Sequence, residues 1–285
     1  MKIGITGATG QLGRLVVAKL KEKRGDDTIV GLVRSAEKGA ELGIECREFD
    51  YNHPGNLVIA LEGIDHLLLI SGNELGQRAF QHANVIAAAK KAGVKWIVYT
   101  SLLHADTSSL SLAPEHLATE SELKQMGIPY TILRNGWYTE NYTGSVQGAL
   151  AGGAFIGSAG DGRISSASRA DFAEAAVAVL TGEGHSGKIY ELAGDHSYTL
   201  SDLAMEISKQ AGKDIPYNNL PEADYAAILK SFGLPEGFAN AIANWDTGAS
   251  KGDLQEDGKQ LSKLIGRSTT PLSQSVTEAL KNERT

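Results

Sequence analysis

The feature of this sequence that most restricts its fold is a glycine motif near the start of the chain. The motif runs Gly7-Ala8-Thr9-Gly10-Gln11-Leu12-Gly13, directly after a short apolar segment and at the beginning of an amphipathic one. Gly7 permits a sharp strand-to-helix turn, Gly10 lets a pyrophosphate approach the backbone, and Gly13 lets the helix pack closely on the sheet. The N–H groups and dipole at the helix start attract phosphates. We therefore predict a Rossmann-type dinucleotide site here, the alternative being a glycine-rich turn that binds nothing.

Short apolar segments alternate with longer segments of helical periodicity up to about residue 135. The apolar segments predict strands, and the longer segments predict helices. The predicted strands are Lys2 to Thr6, Thr28 to Val33, Glu45 to Phe49, His66 to Ile70, Val94 to Ser101 and Tyr130 to Arg134. The predicted helices are Leu12 to Lys23, Leu57 to Leu61, Gln77 to Ala92 and Ala113 to Met126. This alternation implies right-handed crossovers and an α/β fold with a doubly wound parallel sheet.

After Asn135 the pattern is less regular and becomes mostly helical. A short apolar piece, Phe155-Ile156, lies between two glycine-containing loops, and Leu234-Pro235-Glu236-Gly237 interrupts the later helical part. The further elements predicted are a strand from Lys188 to Ala193 and helices over Ala170 to Leu180, Leu200 to Ala211, Glu222 to Phe232 and Leu272 to Lys281. We predict a Rossmann domain over residues 1–195 and a smaller, substrate-side subdomain over 196–285, with segments that can interleave.

Composition and charge argue against several classes of function. A net charge of -7 over 285 residues disfavours binding to nucleic acid. The longest apolar run is far shorter than the roughly 20 residues of a membrane span, and the seven histidines form no metal-ligand motif. The single cysteine, Cys46, excludes an intrachain disulfide and is interpreted as a small buried apolar residue. We expect a cytoplasmic monomer or homodimer that holds no metal and does not insert into membranes.

The end of the second predicted strand favours NADP(H) over NAD(H). An NAD site usually has an acidic residue at this strand end for the ribose 2′-hydroxyl. This strand ends at Arg34, whereas Asp26 and Asp27 precede it, at its opposite end. A guanidinium suits a 2′-phosphate, and Ser35 and Lys38 are placed to assist. NADP(H) is therefore the preferred cofactor and NAD(H) the second candidate, unless Arg34 is only a solvated surface charge.

The ends of the other strands supply further candidate site residues, because ligands of this fold lie beyond the carboxyl ends of the strands. Asp50-Tyr51 is expected near the adenine, and the later strand ends near the nicotinamide and the substrate. The candidate cofactor residues at these ends are Tyr51, Ser71, Gly72, Asn73, Glu74, Asn135, Gly136, Trp137 and Tyr138. The candidates for the substrate pocket are Asn73, Trp137, Tyr138 and His104. Each has an alternative interpretation as a loop or cap residue, and for His104 a structural role is equally favoured.

A catalytic pair common in short-chain dehydrogenases is missing. Those enzymes usually have Tyr-x-x-x-Lys on the helix after the fifth strand, but no Tyr of this chain has Lys four residues later. The corresponding helix has His116 and Glu120 at that spacing. They are either an acid/base pair or, as we favour, a contact on the helix surface. A quinone suits such a site, since its reduced form is a stabilised phenolate and hydride transfer mainly needs orientation. No catalytic residue is assigned.

Several longer segments together resemble the NmrA-like group of atypical short-chain dehydrogenases, and within it the bacterial NAD(P)H:quinone oxidoreductases. These segments are Ile5 to Gly13, Leu67 to Ser71, Tyr99 to Ser108, Leu133 to Tyr142 and Tyr190 to Asp195. The resemblance implies NADPH-dependent, flavin-free reduction of a small-molecule quinone, held between the nicotinamide and the C-terminal subdomain. It also implies cofactor positions at Gly7 to Leu12, Arg34, Gly72 to Glu74, Trp137 to Tyr142 (including Asn141) and Arg169.

Two alternatives stay open at the level of the sequence. One is an NmrA-type regulator that binds NADP(H) or NAD(H), performs no chemistry and reports the redox ratio to a protein partner. The other is reduction or epimerisation of a different small substrate.

Overall fold

The structure is a computed structural model that describes residues 1–24 and 28–281. Asp26 and Asp27, which entered the argument about the second strand, lie outside the described residues. The chain forms two compact units. The first contains Met1–Asp106, Leu112–Asn135 and Arg169–Glu191, and the second contains Thr107–Ser111, Gly136–Ser168 and the chain from Leu192 onward. The units interleave along the chain, and the division of roles between residues 1–195 and 196–285 stays a prediction.

A parallel sheet of the Rossmann type organises the first unit. The strands in the described residues are β1 Ile3–Thr6, β2 Ile29–Val33, β3 Glu45–Glu48, β4 His66–Leu69, β5 Trp96–Leu102, β6 Tyr130–Asn135, β7 Phe155–Gly157, β8 Ile189–Leu192 and β9 Tyr217–Asn219. The large sheet has seven strands in the order β3-β2-β1-β4-β5-β6-β8, and the pairings among β1 to β6 are parallel. All seven predicted strands are confirmed, with ends that differ by one or two residues. The order reverses between β1 and β4, where this type of fold binds ligands.

Helices cover the sheet and build most of the second unit. The helices in the described residues are α1 Gln11–Arg24, α2 Ala36–Gly39, α3 Pro54–Ala60, α4 Arg78–Ala92, α5 Ala113–Met126, α6 Glu140–Thr143, α7 Val146–Gly152, α8 Arg169–Thr181, α9 Leu200–Ala211, α10 Glu222–Ser231, α11 Glu236–Ser250, α12 Gln260–Ile265 and α13 Leu272–Lys281. The eight predicted helices are all confirmed, whereas α2, α6, α7, α11 and α12 were not predicted.

The core of the first unit lies between the sheet and its helices. Every residue of β1, β2 and β5 is buried, as expected for parallel strands with helices on both faces. Leu57 and Ala60 of α3, Val85 of α4 and Leu123 of α5 join the strand residue Tyr99 in one apolar cluster. Helix α1 packs against α8. This arrangement confirms the predicted doubly wound α/β fold.

The second unit refines two interpretations of the sequence. The segment Leu234–Gly237 does interrupt the helical part between α10 and α11, and Pro235 directly precedes α11, where its fixed φ suits a helix start. The short apolar piece Phe155-Ile156 forms a strand that was not predicted, β7, which pairs in parallel with β9. Helix α10 packs on α11, and α9 packs on α13.

Two expectations drawn from composition can be compared with the described residues. Within residues 1–24 and 28–281, every helix is too short or too polar to cross a membrane. Cys46 lies in β3 and is only half-buried, with its thiol 3.4 Å from the Gly39 carbonyl oxygen. Cys46 is thus less buried than its interpretation as a small buried apolar residue implied. Burial is still the main cause that raises the pKa of its thiol.

Candidate cofactor and substrate site

The glycine motif forms a tight turn between β1 and α1. Gly7 has a φ of 58°, and its carbonyl oxygen accepts the Gly10 N–H at 2.8 Å. A Cβ at Gly13 would overlap the Gly7 carbonyl oxygen and lie 2.8 Å from Ala8 Cα, so only glycine allows this close packing. Gly7, Gly10 and Gln11 are exposed. An exposed turn at the start of a fourteen-residue helix fits a pyrophosphate.

The end of β2 presents Arg34 to solvent. The Arg34 side chain is 73% exposed, and its guanidinium lies 3.6 Å from the Glu74 carboxylate. Ser35 begins α2, where its hydroxyl accepts the Lys38 N–H at 3.4 Å. The structure thus brings together two predicted cofactor residues, Arg34 and Glu74. The Ser35 hydroxyl, which was expected to assist Arg34, already serves as a helix cap.

The loop after β4 is held by side chains from neighbouring helices and strands. The Ser71 N–H donates to Thr100 Oγ1 at 2.9 Å, and the Gly72 N–H donates to His82 Nε2 at 3.0 Å. The Gly72 carbonyl accepts the Arg78 Nε–H at 2.9 Å. The loop is therefore fixed at the edge of the sheet where a cofactor is expected, and rigid positioning of this kind favours ordered binding.

His82 completes a buried chain of hydrogen bonds behind this loop. Because His82 Nε2 accepts from Gly72, its proton lies on Nδ1, which donates to Thr119 Oγ1 at 2.9 Å. Thr119 donates in turn to the Glu115 carbonyl at 3.0 Å. Burial lowers the pKa of His82 to about 3, with a smaller contribution from Arg78. The ring is therefore neutral at physiological pH and holds the loop as a hydrogen-bond acceptor.

Tyr51, which was expected near the adenine, is half-buried at the end of β3. Its hydroxyl donates to the Ile70 carbonyl at 3.1 Å, and its ring makes edge contacts with Phe49 and His82. Asp50 instead orders its own turn, accepting the Asn52 N–H at 2.9 Å.

The interpretation of His116 and Glu120 as a contact on the surface of α5 was wrong. Both side chains are buried, and both bond to residues of β5. His116 Nδ1 lies 2.7 Å from the Tyr99 hydroxyl, whereas Glu120 accepts from Ser101 at 2.7 Å. Burial is the main cause that lowers the pKa of His116 well below its ordinary value. On the helix that carries the proton donor in other dehydrogenases, this chain thus has polar side chains that are buried and already hydrogen-bonded to the sheet.

An ion cluster around Arg134 fills the carboxyl ends of β5 and β6. Arg134 makes two bonds of 2.9 Å to Glu120, one of 2.8 Å to Glu191 and an ion pair of 3.0 Å to Asp106. Glu120 above all, then Glu191 and Asp106, raises the pKa of the guanidinium. Sequence reasoning missed this cluster, although a charged residue inside the apolar strand Tyr130–Asn135 was a signal of buried pairing.

Asn135, a predicted cofactor residue, ends β6 with an unsatisfied acceptor. The residue is 5% exposed, and its backbone carbonyl accepts the Leu103 N–H at 2.9 Å. Its side-chain Oδ1 is buried without a hydrogen-bond partner among the described residues. Because buried polar atoms are rarely left unpaired, this oxygen suits a donor from a ligand or water.

The second unit contains an aromatic cluster that sequence reasoning found only in part. Trp137, a predicted site residue, contacts Trp245 of α11 with ring centroids 5.6 Å apart, and Trp245 contacts Phe238 at 6.1 Å. The Trp245 indole N–H donates to Ser111 Oγ at 3.1 Å. Trp245 and Phe238 were missed because α11 itself was not predicted.

The remaining predicted residues lie at strand and helix ends. Asn73 and Asn141 are exposed, and Tyr138 and Arg169 are half-buried. Tyr138 forms a bridge with Ala167, and Arg169 begins α8. Their roles stay predictions. Among the described residues there is no group of three or more His, Cys, Asp or Glu side chains that could hold a metal ion.

Comparison with known proteins identifies the family. A family described as NAD(P)H-binding matches residues 7–183. The chain belongs to this NAD(P)H-binding family. The matched region contains the glycine turn and β2 to β6, so the similarity covers the elements that form the candidate cofactor site.

Relatives that span the whole chain extend this result. The chain is 57% identical to quinone oxidoreductase 2 of Escherichia coli over 96% of this chain and 97% of the relative. The crystal structure of the E. coli NADPH-dependent quinone oxidoreductase with NADPH superposes with a TM-score of 0.95 over 98% of this chain and 99% of that one, at 56% identity. The triphenylmethane reductase of Citrobacter sp. gives a TM-score of 0.94 at 40% identity over 99% and 100% of the chains.

A more distant relative links the chain to the NmrA-like group. An NmrA-like family domain-containing oxidoreductase of Aspergillus flavus is 27% identical over 100% of this chain and 96% of the relative. Together these similarities confirm the resemblance seen in the sequence motifs, and they identify the protein as an oxidoreductase.

Proposed function

We propose that the protein catalyses the NADPH-dependent, two-electron reduction of quinones to hydroquinones by direct hydride transfer, without a flavin. The observation that carries this proposal is that polar side chains of α5 are buried and already paired. Where a ketone reductase needs a proton-donating Tyr, this chain has His116 and Glu120 already paired with Tyr99 and Arg134. A quinone depends less on such a donor than an ordinary ketone does. The 57% identity to E. coli quinone oxidoreductase 2 supports the same substrate class.

The first unit supplies the groups for NADPH. The turn from Gly7 to Gly13 would hold the pyrophosphate, and Arg34 would hold the 2′-phosphate. When bound, the cofactor supplies a hydride from its nicotinamide. Opposite Arg34, Glu74 would leave its ion pair when a phosphate arrives. The further cofactor residues that we propose are Tyr51, Ser71, Gly72, Asn73, Asn135, Gly136, Trp137, Tyr138, Asn141 and Arg169.

The second unit offers groups suited to a planar ring. The rings of Trp137, Trp245 and Phe238 contact one another edge to face, and Phe238 is 47% exposed. Aromatic faces bind flat conjugated molecules through stacking and apolar burial. We propose Trp137, together with Tyr138, Asn73 and His104, for the substrate pocket.

Absorbance of NADPH provides the direct test. Purified protein is mixed with NADPH and 1,4-benzoquinone, and loss of NADPH absorbance above the uncatalysed rate is expected. The protein is also denatured and its supernatant assayed for flavin fluorescence, which should be absent. Binding of NADPH without any turnover would refute the enzyme proposal and favour the NmrA-type regulator.

Arg34→Ala tests the cofactor preference. The variant should weaken NADPH binding about tenfold or more while leaving NADH nearly unchanged, since bonds to a charged group are worth about 1.5 to 3 kcal/mol and solvent screens an exposed one. Lys38→Ala is the matched control, since Lys38 is an exposed cation four residues away, and it should have a smaller effect. Equal losses for NADPH and NADH in Arg34→Ala would show that Arg34 does not hold the 2′-phosphate.

A second candidate acceptor is a triphenylmethane dye. The similarity to the Citrobacter triphenylmethane reductase, at 40% identity over nearly the whole chain, favours it. Such a dye is a conjugated cation with a trigonal central carbon, which takes a hydride at that carbon and needs no proton. Malachite green, followed by loss of colour, is the appropriate substrate for comparison with benzoquinone.

A further inference from the structure

The backbone of His104 has an unusual conformation for a residue with a side chain. Its φ is 51°, and among the described residues only Lys259, at 53°, is another non-glycine residue with a positive φ. The left-handed region brings Cβ close to the carbonyl oxygen and is disfavoured for such residues. His104 follows β5 by two residues, at the edge of the sheet where ligands of this fold bind.

The ion cluster of the first unit holds His104 in this conformation. The His104 N–H donates to Glu191 Oε2 at 2.9 Å, and Glu191 Oε1 accepts from Arg134 at 2.8 Å. Arg134 is itself fixed by two bonds to Glu120. On either side of His104, the N–H groups of the adjacent residues donate to backbone carbonyls at 2.9 Å and 3.1 Å. A network that ends in the buried pair of Arg134 and Glu120 therefore holds the backbone of this one histidine.

Lys259 shows how the same φ arises without such a network. It lies at the start of α12 and is exposed. Its carbonyl accepts the Lys263 N–H at 3.2 Å within that helix. Lys259 thus has its positive φ at a helix start, whereas the backbone of His104 is held by Glu191 of the ion cluster. Strain that surrounding structure maintains in this way is typical of functional positions.

We propose that His104 is a catalytic residue that donates a proton to a quinone oxygen during reduction. This inference rests on the proposed quinone reductase activity. The hydride carries two electrons and one hydrogen from NADPH, which becomes NADP⁺, and one proton completes the hydroquinone. His104 donates this proton from its imidazolium ring and regains it from solvent. Imidazole is the side chain suited to this exchange near neutral pH, and α5 offers no donor of its own.

Two substitutions separate the ring from the backbone. His104→Asn keeps a polar residue that tolerates a left-handed φ but cannot donate a proton as an acid. His104→Gly removes both the ring and the strain. Both variants should lower kcat for benzoquinone about 10- to 100-fold. This effect is at or below the usual range for loss of a general acid, because water also protonates the phenolate. NADPH affinity should be unchanged.

Dye reduction, and NMR of the cofactor-free protein, distinguish a catalytic role of His104 from a purely structural one. If the wild-type chain reduces malachite green, both variants should keep that rate, since this acceptor needs no proton. His104→Gly should raise the midpoint of thermal unfolding by about 1 to 3 °C. Lys259→Gly, the matched control, should raise the midpoint similarly while leaving kcat for benzoquinone unchanged. In the cofactor-free protein, adding benzohydroquinone should shift the ¹⁵N signals of the His104 ring.

The outcomes distinguish this inference from the proposed function. If the wild type reduces benzoquinone and both variants keep its kcat, or if the ring signals do not respond to benzohydroquinone, His104 is not the proton donor. If the variants lose benzoquinone and dye reduction equally, the effect is positional and the inference is likewise overturned. If the wild type itself reduces no quinone, the proposed function fails first.

Discussion

Replacing Asp246 with Asn should change how the stability of the protein depends on pH. Asp246 lies in α11 and is 4% exposed. Its carboxylate accepts the Tyr142 hydroxyl and the Ser158 N–H, each at 3.0 Å. Burial raises the pKa of Asp246 to about 6, although these two hydrogen bonds oppose the rise and no cation contributes. The folded second unit therefore holds a carboxylate that resists ionisation.

The direction and size of the effect follow from the two pKa values. Because the folded pKa is about 6 and the ordinary value is 3.8, the folded protein binds more protons than the unfolded chain between these values. The contribution of Asp246 to the free energy of unfolding is fully present below about pH 4 and is lost as the pH rises through about 6. A pKa difference of about 2 corresponds to about 3 kcal/mol. Asn at position 246 cannot ionise, so Asp246→Asn avoids this loss. The variant also loses one of the two hydrogen bonds, which lowers its free energy of unfolding by about 1 to 3 kcal/mol at every pH.

Urea unfolding of both proteins between about pH 4 and pH 8 measures the effect. The free energy of unfolding of Asp246→Asn should rise relative to that of the wild type by about 3 kcal/mol across this range. Buried His82 and His116 also make stability depend on pH, but equally in both proteins, so the difference isolates Asp246. Glu236→Gln is the control, since Glu236 is exposed and pairs with Lys230. A wild-type-minus-variant difference that does not change with pH would refute the reasoning.

Three further predictions concern the first unit. Gly13→Ala should lower the free energy of unfolding in urea by about 1 to 3 kcal/mol, because the added methyl group overpacks the turn. Gly55→Ala is the control, since its Cβ would meet nothing within 4 Å, and it should be neutral or stabilising. Equal losses in the two variants would contradict the close-packing argument. Glu120→Gln should cost about 3 to 5 kcal/mol of unfolding free energy, because it breaks the buried pair with Arg134, and a loss below about 1 kcal/mol would count against a tightly coupled pair. The His82 ring should stay neutral with its proton on Nδ1 from about pH 8 to pH 4 in ¹⁵N NMR, because burial lowers its pKa to about 3; titration near the ordinary histidine pKa would contradict this.

Local sequence patterns were sufficient for the sheet and most helices. The strands were predictable because a parallel strand with helices on both faces needs continuous apolar residues, and β1, β2 and β5 are buried throughout. Helix α11 was not predicted because Pro235 was interpreted only as part of an interruption, whereas it directly precedes the first residue of this helix.

The candidate site was predictable where one short segment supplies its own chemistry. The glycine turn and Arg34 both follow a strand directly, so the topology of the fold places them at the ligand edge of the sheet. Trp137 was predictable for the same reason, since it follows β6. Its partner Trp245 was not, because 108 positions of sequence separate them and no local pattern encodes that contact.

The sequence by itself determined a Rossmann fold, a glycine turn at Gly7 to Gly13 and a cation at the end of β2, because each depends on residues adjacent in the chain. Only the tertiary structure decided what the charged groups of α5 do. His116 and Glu120 have the spacing of a surface pair, yet α5 packs against the sheet and delivers them to Tyr99 and Arg134 on separate strands. Each of these buried groups has its own partner, because an unpaired polar or charged group inside a protein is strongly destabilising. The neighbouring positions of β6 and β8 in the sheet likewise bring Glu191 beside Arg134, and Glu191 accepts the His104 N–H.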